Sequence, residues 1–203
     1  NGGTYVAEYT GMQGEGAIRI FASGDVTVKD VTTTGGIHVF NPGTYEISGN
    51  NVSFDGYQQD GVGILVFYDE LPDGINPQAA ADSIMRDNVI AVPTENSDYV
   101  QIGTPNANGT WDFPGKISAT NSVAKIDDNY YNTLQAAVDA VRSNETITLL
   151  KNCNENITVS REVTFTIENG ENSFTGSVSA GNGYRVTENN GAYIVEKYTP
   201  SSS

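Results

Sequence analysis

The sequence predicts a mainly β chain built of stacked coils, on three observations. Ile18-Arg19-Ile20-Phe21 returns as Ile37-His38-Val39-Phe40 and again as Ile64-Leu65-Val66-Phe67. A glycine stands shortly before each copy: Gly16, Gly35 with Gly36, and Gly63. A second unit follows each copy in the same order, at Val26 to Val31, Ile47 to Val52 and Ile84 to Val89. In each of these an apolar residue is followed four places later by Asp30, Asn51 or Asn88, and then by valine. Short units that recur in fixed order cannot bury an apolar face singly; they bury it by stacking.

The first elements read as strands. Ile18 and Ile20, Val26 and Val28, Ile37 and Val39, Tyr45 and Ile47 alternate with polar residues, and period two is the strand signature. First and second units are 8 residues apart in the first coil, 10 in the second and 20 in the third (Ile64 to Ile84). The excess falls in Asp69 to Gln78, a stretch of turn formers, and predicts an insertion at one corner of the stack. The opposite corner lengthens through Ser53 to Gly63 and Pro93 to Asp98, after which Tyr99-Val100-Gln101-Ile102 starts a fourth coil. Asp30, Asn51 and Asn88 then stack at a bend, where side-chain amides satisfy the backbone of successive coils.

Ile47, Asn51 and Val52, then Ile84, Asn88 and Val89, resemble the Ile-x-Ile…Asn-x-Val/Ile coils of the pectate-lyase-like superfamily; Val26, Asp30 and Val31 match less closely. The resemblance covers about residues 16 to 104 and implies right-handed parallel β-helix coils. Pro105 to Gly115, turn-rich and carrying the sole tryptophan, reads as a connector, so the expected division is residues 1–113 and 114–203. In the second part Val123 to Ile126 reads as a strand. A helix is expected over 133–143, with Leu134, Ala137, Val138 and Val141 on one face. Strands follow at Thr146 to Leu150, Ile157 to Val159 and Val163 to Ile167. A C-terminal hairpin turns at Asn189-Asn190-Gly191. Ala124 to Ile126, Tyr131 to Asp139 and Thr146 to Lys151 resemble a module of surface proteins of gut Firmicutes. That resemblance implies a smaller β-helical or α+β module with one short helix, which seals the open end of a stack.

Ten basic residues against 25 acidic give a net charge of -15 over 203 residues. Such a surface repels nucleic acid and anionic membranes, and no run approaches the ~18 apolar residues of a membrane span. One cysteine, Cys153, excludes an intrachain disulfide and reads as a buried inert thiol. Asn1 opens the chain in Gly- and Tyr-rich sequence, as expected of an excerpt from a longer exported protein. Asn51, Asn108, Asn144 and Asn156 begin Asn-x-Ser/Thr triplets, the first of them at an expected coil position.

The β-helix resemblance implies catalysis by a Ca²⁺ site with an arginine or lysine, or by paired aspartates. Arg19 aligns with His38 and Leu65, and Arg86 with Gly49; neither has a carboxylate pair on its own strand. His38 is the sole histidine, which excludes histidine-based metal coordination. Asp55, Asp60, Glu95 and Asp98 crowd one expected rim and are oxygen ligands suited to Ca²⁺, although Asp55-Gly56 and Asp60-Gly61 are also ordinary turn pairs. Tyr57, Tyr68 and Trp111 lie in or beside expected loops, where exposed rings stack on sugars. The reading is a non-enzymatic extracellular or cell-surface module for adhesion or glycan binding, with polysaccharide or host glycan as partner. The alternatives are a polysaccharide lyase or glycoside hydrolase fragment, and an inert spacer.

Overall fold

The computed structural model describes residues 5–7, 18–53 and 61–199. The chain forms two compact units, Asn1–Thr120 and Asn121–Ser203. Both are mainly β.

In the first unit the strands are β1 (Tyr5–Ala7), β2 (Ile18–Phe21), β3 (Val26–Lys29), β4 (Thr32–Thr33), β5 (Ile37–Phe40), β6 (Tyr45–Ser48), β7 (Asn51–Ser53) and β8 (Val62–Phe67). Helix α1 (Pro77–Arg86), β9 (Val89–Ala91), β10 (Asp98–Pro105) and β11 (Trp111–Ser118) complete it. Three sheets result, ordered β1-β3-β6, β11-β10-β8-β5-β2 and β4-β7-β9. Among the described residues its strand pairings are parallel except β10 with β11. The chain thus visits three sheets in turn and returns to each one strand further on. The expected register of the first unit holds, with Ile18, Ile37, Ile64 and Val100 in one line. Ile37, Val39, Ile64, Val66, Val100 and Ile102 are fully buried, so the period-two residues of this sheet form continuous apolar columns.

The second repeat forms strands in the first two coils, with Ile47 beside Val28 rather than the expected Val26, and fails in the third. Val26 and Val28 pair with Tyr45 and Ile47, but Ile84 lies on α1 rather than on a strand. The helix carries its own signals. Asn76 is the N-cap, its Oδ1 accepting from the Ala79 N–H at 3.0 Å, and Pro77 takes the first helical position. Ala81, Ile84 and Met85 are its buried residues, a helical spacing. Ile84, Asn88 and Val89 imitate the strand repeat because the chain must rejoin the stack at Asn88, whichever element precedes it.

Of the expected ladder Asn88 stands in place, Asn50 takes the part expected of Asn51, and Asp30 turns left-handed at the bend. Asn51 pairs with Thr32 and Val89 on the third sheet and is exposed; the buried amides are Asn50 and Asn88. Asn50 Oδ1 accepts from Val31 N–H at 3.0 Å, and Asn50 Nδ2 donates to the Val28 carbonyl and to Asn88 Oδ1 at 3.0 and 2.8 Å. Asn88 Oδ1 accepts from Asn50 N–H at 3.0 Å, and its Nδ2 donates to the Ile47 and Ile84 carbonyls at 2.9 and 2.7 Å. The slip has a cause: Asp30 and Gly49 both turn left-handed, at φ 56° and 69°, and the bend consumes the residue that the repeat had counted as strand. The left-handed backbone at Gly49 is one that glycine adopts without strain. A one-residue slip exchanges buried for exposed side chains, which is why Asn50 lies inside and Asn51 outside.

Residues 105–115 are no interdomain connector. They form the end of β10, a turn and the start of β11, whose antiparallel register runs from Pro105 opposite Trp111 to Asp98 opposite Ser118. An expected division at 113/114 would cut β11; the first unit runs on to Thr120.

The second unit contains β12 (Ala124–Ile126), β13 (Asn129–Tyr131), α2 (Leu134–Ala140), β14 (Glu145–Leu149), β15 (Asn156–Val159), β16 (Val163–Glu168), β17 (Ser177–Ala180), β18 (Tyr184–Asn189) and β19 (Ala192–Lys197). β14 pairs parallel with β16, and β15 with β17. β18 and β19 form the expected hairpin, with Asn190 and Gly191 at φ 50° and 79°. The helix is shorter than residues 133–143, because Val141 is already extended. Its four expected core residues are all buried.

The ends and one side of α2 are satisfied by the chain around β15. The Thr133 hydroxyl accepts from Ala136 N–H, and the Glu155 carboxylate accepts from Leu134 and Gln135 N–H at 2.9 and 3.1 Å. Arg161 donates to the Val138 and Val141 carbonyls at the other end. Gln135 Nε2 donates to the Thr158 carbonyl and Gln135 Oε1 accepts from Thr158 N–H, both at 3.0 Å. One side-chain amide therefore stands in for a strand along the free edge of β15.

Three outcomes follow from this architecture. Asn50→Ala strips three side-chain hydrogen bonds from a buried site and should destabilise the first unit by about 2–4 kcal/mol in chemical denaturation. Gln135→Ala should speed exchange of the Thr158 amide and lower the stability of the second unit by about 1–2 kcal/mol. Burial raises the phenols of Tyr68 and Tyr131 to about 12. The folded chain thus favours the protonated form, so this stability is whole below pH ~10 and lost as pH climbs to ~12, by about 2–3 kcal/mol per residue. Melts between pH 8 and 12 should show the fall, and Tyr131→Phe should flatten it.

Candidate binding surface

The fourth position of the Ile-x-Ile-Phe unit builds the most distinctive surface of the first unit. Parallel pairing sets Phe21, Phe40 and Phe67 in one line across β2, β5 and β8. Their neighbours Ile20, Val39 and Val66 take the alternate face, and the last two are fully buried, so the rings stand on the outer face of the sheet. Phe21 and Phe40 stack with centroids 4.6 Å apart and planes 9° from parallel. Phe40 and Phe67 follow at 6.3 Å and 53°.

Gly103 continues the line on β10, opposite Phe67. A Cβ there would come within 2.9 Å of both the Phe67 and the Phe113 rings. The missing side chain lets β11 fold its own aromatics over the gap, and Trp111 rests on Phe67 with centroids 4.6 Å apart. The row ends on exposed rings at both sides, Phe21 at 72% and Trp111 at 57%, while Phe67 between them is buried.

Two residues upstream on the same face runs a second line, Arg19, His38, Leu65 and Gln101, with Lys116 directly opposite Gln101 on β11. The aromatic row is therefore flanked by nitrogen donors. Lys116 Nζ and Gln101 Nε2 both reach Asp98 Oδ2, at 3.1 and 2.5 Å. Burial and the charge of Arg19 lower the His38 pKa against the opposing pull of the Val62 carbonyl, so the imidazole is neutral at pH 7. Among the described residues its Nε2 is buried without a hydrogen-bond partner.

The residues singled out in the sequence have separate fates. Trp111 is exposed and belongs to the aromatic row, on a strand rather than in a connector. Tyr68 is only 4% exposed and presents no ring face to a ligand. Tyr57, Asp55 and Asp60 lie outside the described residues. Glu95 is exposed, and Asp98 is 6% exposed with its Oδ2 engaged by a lysine and a glutamine. A carboxylate neutralised by an ammonium group is a poor Ca²⁺ ligand. The described residues contain no group of three or more His, Cys, Asp or Glu side chains able to hold a metal ion. Arg86 ends α1, a helix in place of the expected strand, and pairs with its neighbour Asp87 at 3.1 Å. Cys153 is buried and unpaired with another cysteine, and burial pushes its thiol pKa up, away from the reactive range.

Phe21 and Phe40 were not singled out from the sequence, although the signal was present. A phenylalanine closes all three copies of the first unit, and an outward position that keeps one aromatic through three coils makes a row. Gly103→Val should wedge the Phe67 and Phe113 rings apart, costing about 1–3 kcal/mol of stability and shifting Trp111 emission to the red. Comparison with family models, curated proteins and solved structures found no match for this chain.

Proposed function

We propose that this chain is an extracellular surface module that binds glycan along an aromatic row, carried on coils of right-handed parallel β-helix type. One observation carries the reading: Phe21, Phe40, Phe67 and Trp111 form a line of rings with exposed ends on the outer face of a stiff parallel sheet. Exposed aromatic faces offer sugars flat apolar contact at little entropic cost, since two torsions fix each ring. The adjoining Arg19, Gln101 and Lys116 supply donors to hydroxyls or carboxylates of a chain laid across the strands. The scaffold suits repetition: parallel strands sit about 4.8 Å apart, an interval that sets successive rings side by side along a polymer laid across the strands. The acidic surface, at net charge -15, supports solubility and disfavours nucleic acid as the partner.

Trp111 is the sole tryptophan, so its emission reports the row directly. Titration with neutral and acidic plant and host polysaccharides should give a saturable change in emission, with the polymers intact by mass spectrometry. Trp111→Ala and Phe21→Ala should each weaken binding about tenfold, roughly 1.4 kcal/mol, without altering the far-UV circular dichroism. An unchanged emission across the panel would refute glycan binding on this row; shortened or unsaturated products would replace binding with catalysis.

A further inference from the structure

The third coil places a helix where the first two place a strand, and this leaves one edge of the first sheet open. Val26 N–H donates to the Thr44 carbonyl at 2.9 Å and Asp30 N–H to the Ser48 carbonyl at 3.2 Å. Backbone groups of successive strand residues point to opposite neighbours. Thr44, Glu46 and Ser48 therefore face β3, and Tyr45, Ile47 and Gly49 face away from it. The returning chain closes the far end of that outer edge. Gly49 N–H donates to the Asp87 carbonyl at 2.8 Å, and Asn88 Nδ2 donates to the Ile47 carbonyl at 2.9 Å. Among the described residues no hydrogen bond reaches the Tyr45 N–H, the Tyr45 carbonyl or the Ile47 N–H.

Helix α1 does not fill the space, because its first turn is held on β11. The Gln78 amide bonds both backbone groups of Lys116, at 3.3 and 3.2 Å, and Gly115 packs directly against the Pro77 carbonyl. Between β6 and the helix lies a cleft of about 350 Å³, lined by Tyr45 to Ser48 on one side and by Ala80, Ile84 and Asp87 on the other.

The geometry points to this cleft as a docking site for an extended cationic peptide, which adds a strand beside β6. Two donors and an acceptor repeating at the two-residue interval match an extended backbone, the complement used in strand addition. The same register dictates the side chains. Residues beside Tyr45 and Ile47 face inward, onto Ile47 and Ile84, and are apolar. The residue beside Glu46 faces outward and is basic. No basic residue lines the cleft, whereas Glu46 and Asp87 do; Lys29 and Arg86 pair with these two carboxylates at 2.8 and 3.1 Å. Both ion pairs are exposed, so an incoming lysine can share the carboxylates at little cost. The surface is separate from the aromatic row and does not depend on glycan binding.

The test is amide spectroscopy of the whole chain with the blocked tetrapeptide acetyl-Val-Lys-Val-Lys-amide as probe. In the free chain, Tyr45 and Ile47 amides should exchange at least about tenfold faster than those of Glu46 and Ser48. The peptide should shift these two amides saturably and slow their exchange about tenfold, and acetyl-Val-Glu-Val-Glu-amide should bind at least about tenfold more weakly. Ala80→Phe, which fills the cleft from the helix side, should abolish the response, and Phe21→Ala should leave it intact. Protected Tyr45 and Ile47 amides in the free chain, no saturable shift, or an equal response to the glutamate peptide would each overturn the proposal.

Discussion

The first unit depends on a pair of buried amides. Stacked coils must bend between sheets, and every bend buries backbone groups that no strand partner satisfies. Asn50 and Asn88 answer this from inside the stack, each bonding the other and the backbone of a neighbouring coil. Because each amide has both donor and acceptor, the chain of bonds runs from one coil to the next without a charge and without an unpaired atom. The left-handed bend at Asp30 and Gly49 sets the phase of this ladder. With the phase set, the third sheet receives Val52 and Ile90 as inward residues, both fully buried.

Helix α1 shows how a repeat scaffold tolerates a foreign element. The helix enters after Asn76 and leaves at Asp87, directly before the ladder residue Asn88. Only its exit must match the coil; its body is free to pack elsewhere, and it packs on the hairpin of β10 and β11 through Gln78 and Gly115. The outer and inner faces of that hairpin thus serve different ends. Outside, Trp111 extends the line of phenylalanines, and inside, α1 closes the core while the edge of β6 stays open.

The second unit solves the edge problem with side chains. A strand edge left bare is a template for unwanted pairing. Here Gln135 supplies one donor and one acceptor at strand spacing to Thr158, and Glu155 and Arg161 hold the two ends of the helix that carries it. A helix of seven residues is too short to be stable alone, so these contacts with the chain around β15 account for its presence.

The sequence by itself determined β2, β5, β8 and β10 and their common register, because period-two apolar residues and the Ile-x-Ile/Val-Phe repeat admit one alignment. It also determined the core face of α2 and the terminal hairpin, where local spacing and an Asn-Gly turn act within a few residues. Tertiary structure alone decided the rest. Whether Asn50 or Asn51 enters the core depends on a left-handed residue one position earlier, which the repeat does not encode. Tyr68 looked like a loop ring and is buried, since exposure depends on what packs from distant strands. Trp111 joined Phe21, Phe40 and Phe67 only because β11 folds back over Gly103, a contact between segments more than forty residues apart in the chain. Local periodicity governs which residues become strands; the surfaces those strands present are set by long-range pairing, which places residues remote in sequence side by side.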